Sequence, residues 1–330
     1  MARRRLKRAK KVKVKRWLTL FGLIFLLLLS GKILLTLRRS VWKRGRFTFV
    51  LASRPVLVFS LSPKEKSLTV VKIPQNTFVE TTGGYGLYRV EAVYPLGELE
   101  GKGGSLLTSS VQEFLGVPVE GWMKTNSQFP IPNSQLNKKE ILDLKKRTTS
   151  WGIFLRPKTV AQFLKENLKT NLSFWDLAKI WLNLKKISAS KTVFIDLEKG
   201  GALTEFSLPD GQTGKKGDPT LLDNLLQEFF LEPEIRKEKI SIEVLNGTDY
   251  PGLAKRAARI ITNIGGKVVR VGDSKERPKE CQIKGGEKAL KSFTFFKIKK
   301  IFNCRVFKEE REDLSLTVGE SYPQKLFSKG

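Results

Sequence analysis

Apolar residues follow three different patterns along the chain. Residues 17–37 are predominantly apolar and contain a single charged residue, Lys32, which is typical of a transmembrane helix. Residues 47–80 contain short β-branched and aromatic runs around the polar stretch SPKEKS, which predicts strands joined by a hairpin turn. In residues 137–147 and 173–187 the apolar positions recur every three or four residues, which predicts amphipathic helices. The pattern therefore predicts an α/β fold behind an N-terminal membrane helix.

Residues 239–323 show a strand–helix–strand pattern of their own. ISIEVLNGT and KVVRV predict strands on either side of a helix over residues 249–266, with Asp249 as its cap. CQIKGG and CRVF predict strands around a second helix, and LSLTVGESY predicts a final strand. This is a small βαβ-type α/β domain, and residues 207–238 before it predict a linker and a helix.

The apolar segment is long enough to cross a bilayer. Its 21 residues, at about 1.5 Å per residue, match the ~30 Å hydrocarbon core. A cleaved signal peptide is the alternative, but no small-residue cleavage site follows residue 37, which favours an uncleaved anchor. Ten basic residues lie in residues 1–16 and five lie in residues 38–46. The positive-inside rule then predicts a cytoplasmic arm over 1–16 and an extracytoplasmic body, in a single-pass protein of the cell membrane.

The charge of the chain is strongly positive and unevenly distributed. The net charge of +29 favours an acidic partner such as anionic lipid, a polyanionic polymer or nucleic acid. Residues 1–46 hold 16 of the 61 Lys and Arg residues and no acidic residue, so much of the excess is explained as a topology signal. No helix-turn-helix or zinc-finger pattern favours nucleic-acid binding. The chain has no histidine, which excludes Ser/His/Asp and Cys/His mechanisms.

The remaining chemical groups suggest structural roles. Asp143, Asp176 and Asp196 are expected to be solvated residues of helices or strand ends, because Asp is usually exposed. Cys281 and Cys304 each begin a predicted strand. Outside the cytosol they would form a disulfide if the two strands are neighbours, and two buried free thiols are the alternative. Two cysteines without histidine do not make a structural zinc site, so we predict no metal.

Two parts of the sequence resemble known envelope proteins. The elements V-L-N-G-T, G-L-A and V-G-x-x-Y of residues 239–323 are similar to the C-terminal domain of LytR-type proteins. Residues 47–206, through PVLVFSLSPKEKSLTVVKIPQNTFV, resemble a reduced LytR–CpsA–Psr domain. In that family a membrane-anchored α/β domain uses magnesium to transfer a polyprenyl-pyrophosphate-linked glycopolymer to peptidoglycan. The resemblance implies a protein of the cell envelope.

The sequence departs from that family at the charged positions. The family motif I-P-R-D-T reads I-P-Q-N-T here, so Gln75 and Asn76 replace an arginine and an aspartate, and Arg54 falls where the family has an aspartate. A magnesium–pyrophosphate site needs carboxylates for the metal and guanidinium groups for the phosphates. Lys72 and Arg89 complete a candidate phosphate or lipid-carrier pocket with these three residues.

These departures favour one function and leave two alternatives open. The favoured function is a non-catalytic scaffold or binding protein, without a cofactor, for a cell-wall glycopolymer, a polyprenyl phosphate or another envelope protein. The first alternative is a divergent magnesium-dependent phosphotransferase with relocated catalytic groups, since loss of one electrostatic group costs about 10²–10³ in rate and loss of several at the family positions should leave little activity there. The second is an envelope-linked regulator that binds DNA through its basic arm.

Overall fold

The structure is a computed structural model that describes most of the chain after the apolar segment. Described are residues 38–125, 137–149, 168–208, 211 and 213–322. The predicted cytoplasmic arm and the predicted membrane helix at 17–37 lie outside the described residues. Among the residues that the structure describes, no helix is both long enough and apolar enough to cross a membrane.

The first half of the described chain folds around a six-stranded mixed sheet. Its strands are β1 (Phe47–Leu51), β2 (Val56–Ser62), β3 (Ser67–Ile73), β6 (Gly121–Thr125), β7 (Leu168–Thr170) and β8 (Thr192–Asp196). The order across the sheet is β7-β6-β1-β2-β3-β8. The antiparallel pairs β1–β2 and β2–β3 form the strand–hairpin–strand unit that the sequence predicted. The predicted α/β class is therefore confirmed.

Helices cover both faces of this sheet. The helices described in this half are α1 (Val90–Leu99), α2 (Gly104–Leu115), α3 (Lys138–Thr148), α4 (Phe174–Lys186), α5 (Pro219–Phe230) and α6 (Pro233–Glu238). Successive side chains of a strand point to opposite faces, so Val50 packs in one core with Leu107 of α2 and Leu226 of α5. Phe49 packs in a second core with Ile141 of α3 and Ile180 of α4. Burial on both faces explains why β1 is apolar without alternation.

The same half of the chain also forms a second sheet, of four strands. Its strands are β4 (Thr77–Thr81), β5 (Gly86–Arg89), β9 (Leu203–Ser207) and β10 (Thr213–Gly217). Their order is β5-β4-β10-β9. The segment 207–238, predicted as a linker and a helix, thus contributes a strand that pairs with β4, and two helices. The helical part is divided because Pro233 opens α6, and a proline in mid-helix would remove a backbone hydrogen bond.

The C-terminal part forms a five-stranded sheet with helices between its strands. Its elements are β11 (Ser241–Asn246), α7 (Leu253–Asn263), β12 (Lys267–Asp273), β13 (Gln282–Gly285), α8 (Glu287–Leu290), α9 (Phe293–Phe302), β14 (Arg305–Lys308) and β15 (Leu314–Val318). The order is β12-β11-β15-β13-β14. The pairs β11–β12 and β13–β14 are parallel, as two βαβ units require.

Two local features of this part refine the sequence interpretation. Helix α7 begins at Leu253 and not at Asp249, because Asn246 organises the preceding turn: its Nδ2 donates to the Tyr250 carbonyl at 2.9 Å. Cys281 and Cys304, which precede the neighbouring strands β13 and β14, are joined in a disulfide with a Cα–Cα distance of 4.5 Å.

Candidate functional site

A cavity of about 560 Å³ lies between the end of β1 and helix α1. Its walls are largely apolar and include Val56, Val90 and Leu107. Arg54 and Lys124 place two basic side chains at this cavity. An apolar recess with a few charged groups at one side is the usual form of a small-ligand site.

The loop after β1 positions Arg54. Ala52 donates its N–H to the Met123 carbonyl at 2.8 Å, and the Ser53 hydroxyl donates to the Pro55 carbonyl at 2.7 Å. The Arg54 side chain is 69% exposed, and its Nε lies 3.3 Å from Oε2 of Glu91 on α1. Because this single exposed ion pair is weak, the guanidinium can still bind another anion.

Lys124 on β6 supplies the second positive charge. Burial lowers the pKa of its ammonium group, and the nearby charge of Arg54 lowers that pKa further. Its Nζ also lies 5.8 Å from the centre of the Tyr94 ring, within the range of a cation–π contact. An anion between Arg54 and Lys124 would relieve the repulsion between the two cations.

Tyr94 and Glu98 on α1 also line the cavity. The Tyr94 hydroxyl donates to Glu98 Oε1 at 3.2 Å. Burial and the Glu98 carboxylate raise the pKa of Tyr94 to about 12. Glu98 also pairs with Lys169 at 2.6 Å, and a hydrogen bond from Lys169 is the main reason why the pKa of Glu98 is lowered.

The structure places the other predicted site residues away from the lining of this cavity. Lys72 is buried on β3, with its Nζ 2.9 Å from Asp196 Oδ2 on β8. Gln75 and Asn76 form the turn between β3 and β4, and the Asn76 carbonyl accepts the N–H of residue 215 at 3.0 Å. Arg89 ends β5 with its guanidinium 5.7 Å from the centre of the Phe78 ring. The cavity lining therefore includes Arg54 and none of the other four predicted residues.

The residues that sequence reasoning missed belong to elements without a clear pattern. Lys124 lies in the short strand GWMKT, and Tyr94 lies in the helix VEAVYPLGEL, which contains a proline. The expected solvation of two aspartates is wrong. Asp196 pairs with Lys72 at 8% side-chain exposure, and Asp176 is fully buried beneath residues 40–42.

The part of the chain that the structure describes contains no carboxylate cluster suited to a metal ion. Among those residues, no group of three or more His, Cys, Asp or Glu side chains is arranged to hold a metal ion. Glu91 and Glu98 are the acidic residues that line the cavity. Arg54 pairs with Glu91, and Lys169 pairs with Glu98. At this cavity each of the two carboxylates already faces a basic side chain, and the positive charge of that side chain disfavours a magnesium ion beside it.

No curated protein sequence matches this chain. Among solved structures it is similar to B. subtilis TagV, with 16% identity, 56% of this chain and 95% of that chain covered, and a TM-score of 0.42. It is also similar to B. subtilis TagU, with 16% identity, 56% of this chain and 96% of that chain covered, and a TM-score of 0.39. For the structure of TagT bound to LIIa-WTA the identity is 14%, the coverage is 58% of this chain and 93% of that chain, and the TM-score is 0.38.

The C-terminal domain gives a match by sequence. Residues 239–322 match the family described as LytR cell envelope-related transcriptional attenuator. These bounds agree with the domain that begins just before β11 and ends just after β15. The chain therefore carries a LytR C-terminal domain, in the position where its sequence motifs indicated one.

Proposed function

We propose that this protein is a membrane-anchored, extracytoplasmic binding protein of the cell envelope. Its ligand is a polyprenyl phosphate, free or linked to a cell-wall glycopolymer, and it binds without catalysing transfer. The observation that carries this proposal is the pair of basic side chains, Arg54 and Lys124, at the apolar cavity.

The proposed ligand matches the cavity in both of its chemical parts. A polyprenyl chain is apolar, and its burial against Val56, Val90 and Leu107 contributes about 25 cal/mol per Å² of apolar surface removed from water. The phosphate is an anion that accepts charge-assisted hydrogen bonds from a guanidinium fork and an ammonium group. Because both cations lie on one side of the cavity, the phosphate end of the ligand is oriented toward Arg54.

Independent features support the cellular location. Residues 17–37 form the predicted anchor, and the matched C-terminal family is described as cell envelope-related. The disulfide between Cys281 and Cys304 is of a kind that persists in oxidising compartments and is rare in the cytosol.

The charges at the cavity favour binding over phosphoryl transfer. Gln75 and Asn76 carry no charge, and neither lines the cavity. The two carboxylates that do line it, Glu91 and Glu98, are paired with Arg54 and Lys169. A phosphotransferase of the resembled family would need carboxylates for magnesium, so we assign a binding role to this site.

A binding measurement with the full chain in detergent or nanodiscs tests the proposal. We expect a polyprenyl phosphate to bind more tightly than the matching polyprenol, which lacks the charge. Arg54→Ala and Lys124→Ala should each weaken phosphate binding by roughly 10–100-fold, the value of a charge-assisted hydrogen bond, and leave polyprenol binding nearly unchanged. Arg89→Ala is the matched control, because Arg89 packs on Phe78 and does not line the cavity.

Two results would contradict the proposal. If the parent protein and both cavity variants bind the polyprenyl phosphate with equal affinity, Arg54 and Lys124 do not form its binding site. The second result is turnover: with magnesium present, the protein would release phosphate or transfer glycan from a polyprenyl-pyrophosphate-linked glycopolymer. That result would favour the phosphotransferase alternative over a binding role.

A further inference from the structure

The chain enters the described fold through a fixed segment, residues 40–46, which we call the neck. Ser40 and Trp42 are buried. Asp176 of α4 accepts the Ser40 hydroxyl at 2.5 Å and the N–H groups of Val41 and Trp42 at 2.9 and 3.0 Å. Lys179, one turn further along α4, donates to the Trp42 carbonyl at 2.8 Å.

The LytR C-terminal domain holds the neck from another side. Lys300 of α9 donates to the Val41 carbonyl at 2.8 Å, and Lys297 of α9 donates to the Arg46 carbonyl at 2.8 Å. Lys297 is buried between Glu120 and Glu232, at 3.3 and 2.9 Å. The neck is therefore clamped by both halves of the molecule and cannot swing as a flexible tether.

This clamp limits the distance between the body and the membrane. The predicted membrane helix ends at residue 37, and Ser40 is already buried. Three extended residues reach at most about 10 Å. The surface that surrounds the neck must then lie close to the bilayer, provided that the chain is anchored as proposed above.

That surface is basic. Lys43 and Arg44 are exposed, and Lys64 and Lys66 are exposed in the turn between β2 and β3. The turn lies at the same end of the sheet as the neck, because Arg46 Nη2 contacts Glu65 Oε2 at 2.6 Å. We call this surface the neck face.

The acidic residues on the neck face do not cancel its charge. Glu65 is paired with the buried Arg46, and Glu234 is paired with Lys64 at 3.1 Å. Arg44 and Lys66 make no ion pair with any residue that the structure describes. The face therefore carries an excess of positive charge, which would attract an anionic surface.

We propose that the neck face lies on the bilayer and binds the phosphate groups of anionic phospholipids. This inference rests on the membrane anchor in the proposed function. Clustered Lys and Arg side chains beside a membrane segment are attracted to anionic lipid within a Debye length of the surface. The Ser53–Arg54 loop and the cavity lie at the other end of β2, about 20 Å along the strand from the neck face.

A depth measurement on the full chain in nanodiscs tests this orientation. Pro63→Cys carries a fluorophore on the neck face, and Lys199→Cys carries it in the turn after β8, at the far end of the sheet. The native cysteines are bonded to each other and do not react. With quenchers on the lipid headgroups, we expect strong quenching at residue 63 and little at residue 199.

Charge reversal tests whether lipid phosphates hold the face. With phosphatidylglycerol in the disc, Arg44→Glu with Lys66→Glu should reduce quenching at residue 63 about twofold or more, because the attraction of each basic group becomes repulsion. The matched control is Lys199→Glu with Lys216→Glu, which changes the net charge equally and should leave the quenching unchanged.

The outcomes separate the inference from the proposed anchor. A chain that leaves the disc in an alkaline wash has no anchor, and both proposals fall. A chain that stays but shows equal quenching at residues 63 and 199 overturns the inference alone. Protection of the residue-63 label by a soluble polyanionic wall polymer, with no response to phosphatidylglycerol, would also overturn it by assigning the face to the polymer.

Discussion

Five hydrogen bonds converge on the carboxylate of Asp176, three from residues 40–42 and two from Ser173. Burial by itself raises the pKa of this group, but the hydrogen bonds from Ser40, Val41, Trp42 and Ser173 prevail and hold the pKa below its ordinary value. A lowered folded-state pKa means that the ionised group stabilises the fold above about pH 4. This stabilisation is lost as the pH falls through the folded-state pKa.

We therefore expect Asp176→Asn to lower the free energy of unfolding by about 2–4 kcal/mol at neutral pH, since the amide leaves buried donors without an acceptor. Denaturant unfolding measures the loss, and the difference from the parent should shrink as the pH drops below about 4. Asp143→Asn is the control because Asp143 is exposed on α3. A difference that persists at acidic pH would show that the charge of Asp176 is not the cause.

Part of this arrangement could be predicted from the sequence. Ser173 and Asp176 have the spacing of a capping box, and the structure contains that box. The burial of Asp176 could not be predicted, because its other donors come from residues more than 130 positions earlier. The same applies to Lys124 and Arg54, which meet only when β6 pairs with β1.

Strands and helices were predictable where their periodicity was uninterrupted, and α1 shows why the rule fails elsewhere. Pro95 and Gly97 interrupt its sequence and would ordinarily break a helix. A Cβ added at Gly97 would lie 2.1 Å from the Gly103 carbonyl oxygen, so glycine is required for close packing between α1 and the start of α2. The apparent helix breaker therefore serves a tertiary contact that no local pattern reveals.

The crossover from β13 through α9 to β14 is closed by the disulfide between Cys281 and Cys304, which are 23 positions apart. Closing a loop of this length restricts the unfolded chain and is worth about 3 kcal/mol in the chain-entropy model. We expect the double variant Cys281→Ala, Cys304→Ala to lose about that amount of unfolding free energy, as measured by denaturant titration.

A reductant provides the control for this element. Reducing agent should lower the stability of the parent to that of the double variant and should leave the variant unchanged. If the denaturant unfolding curve of the parent is the same with and without reductant, the disulfide does not stabilise the domain.

The two halves of the molecule are held together by contacts that the sequence pattern did not predict. Arg259 of α7 lies with its Nε 2.8 and 2.9 Å from the two oxygens of Asp223 on α5, and its Nη1 donates to the Glu113 carbonyl at 3.0 Å. Asn263 donates to the Gly116 carbonyl at the end of α2. A cation at the C-terminal end of a helix is favourably placed, because the last carbonyls have no partner in the helix.

The LytR C-terminal domain should therefore unfold together with the rest of the body in one calorimetric transition. Arg259→Ala removes the guanidinium partner of Asp223, which keeps its hydrogen bond from Asn263, and should cost about 1–3 kcal/mol of unfolding free energy because the ion pair is partly buried. We expect the single transition to broaden or divide, because the variant loses more stability at the interface than within either domain.

Arg270→Ala is the matched control, since Arg270 is 70% exposed in its pair with Glu243 and its replacement should cost less than about 1 kcal/mol. An Arg259→Ala protein that keeps one sharp transition at the parent's melting temperature would mean that Lys297 and the neck, without Arg259, suffice to couple the two halves.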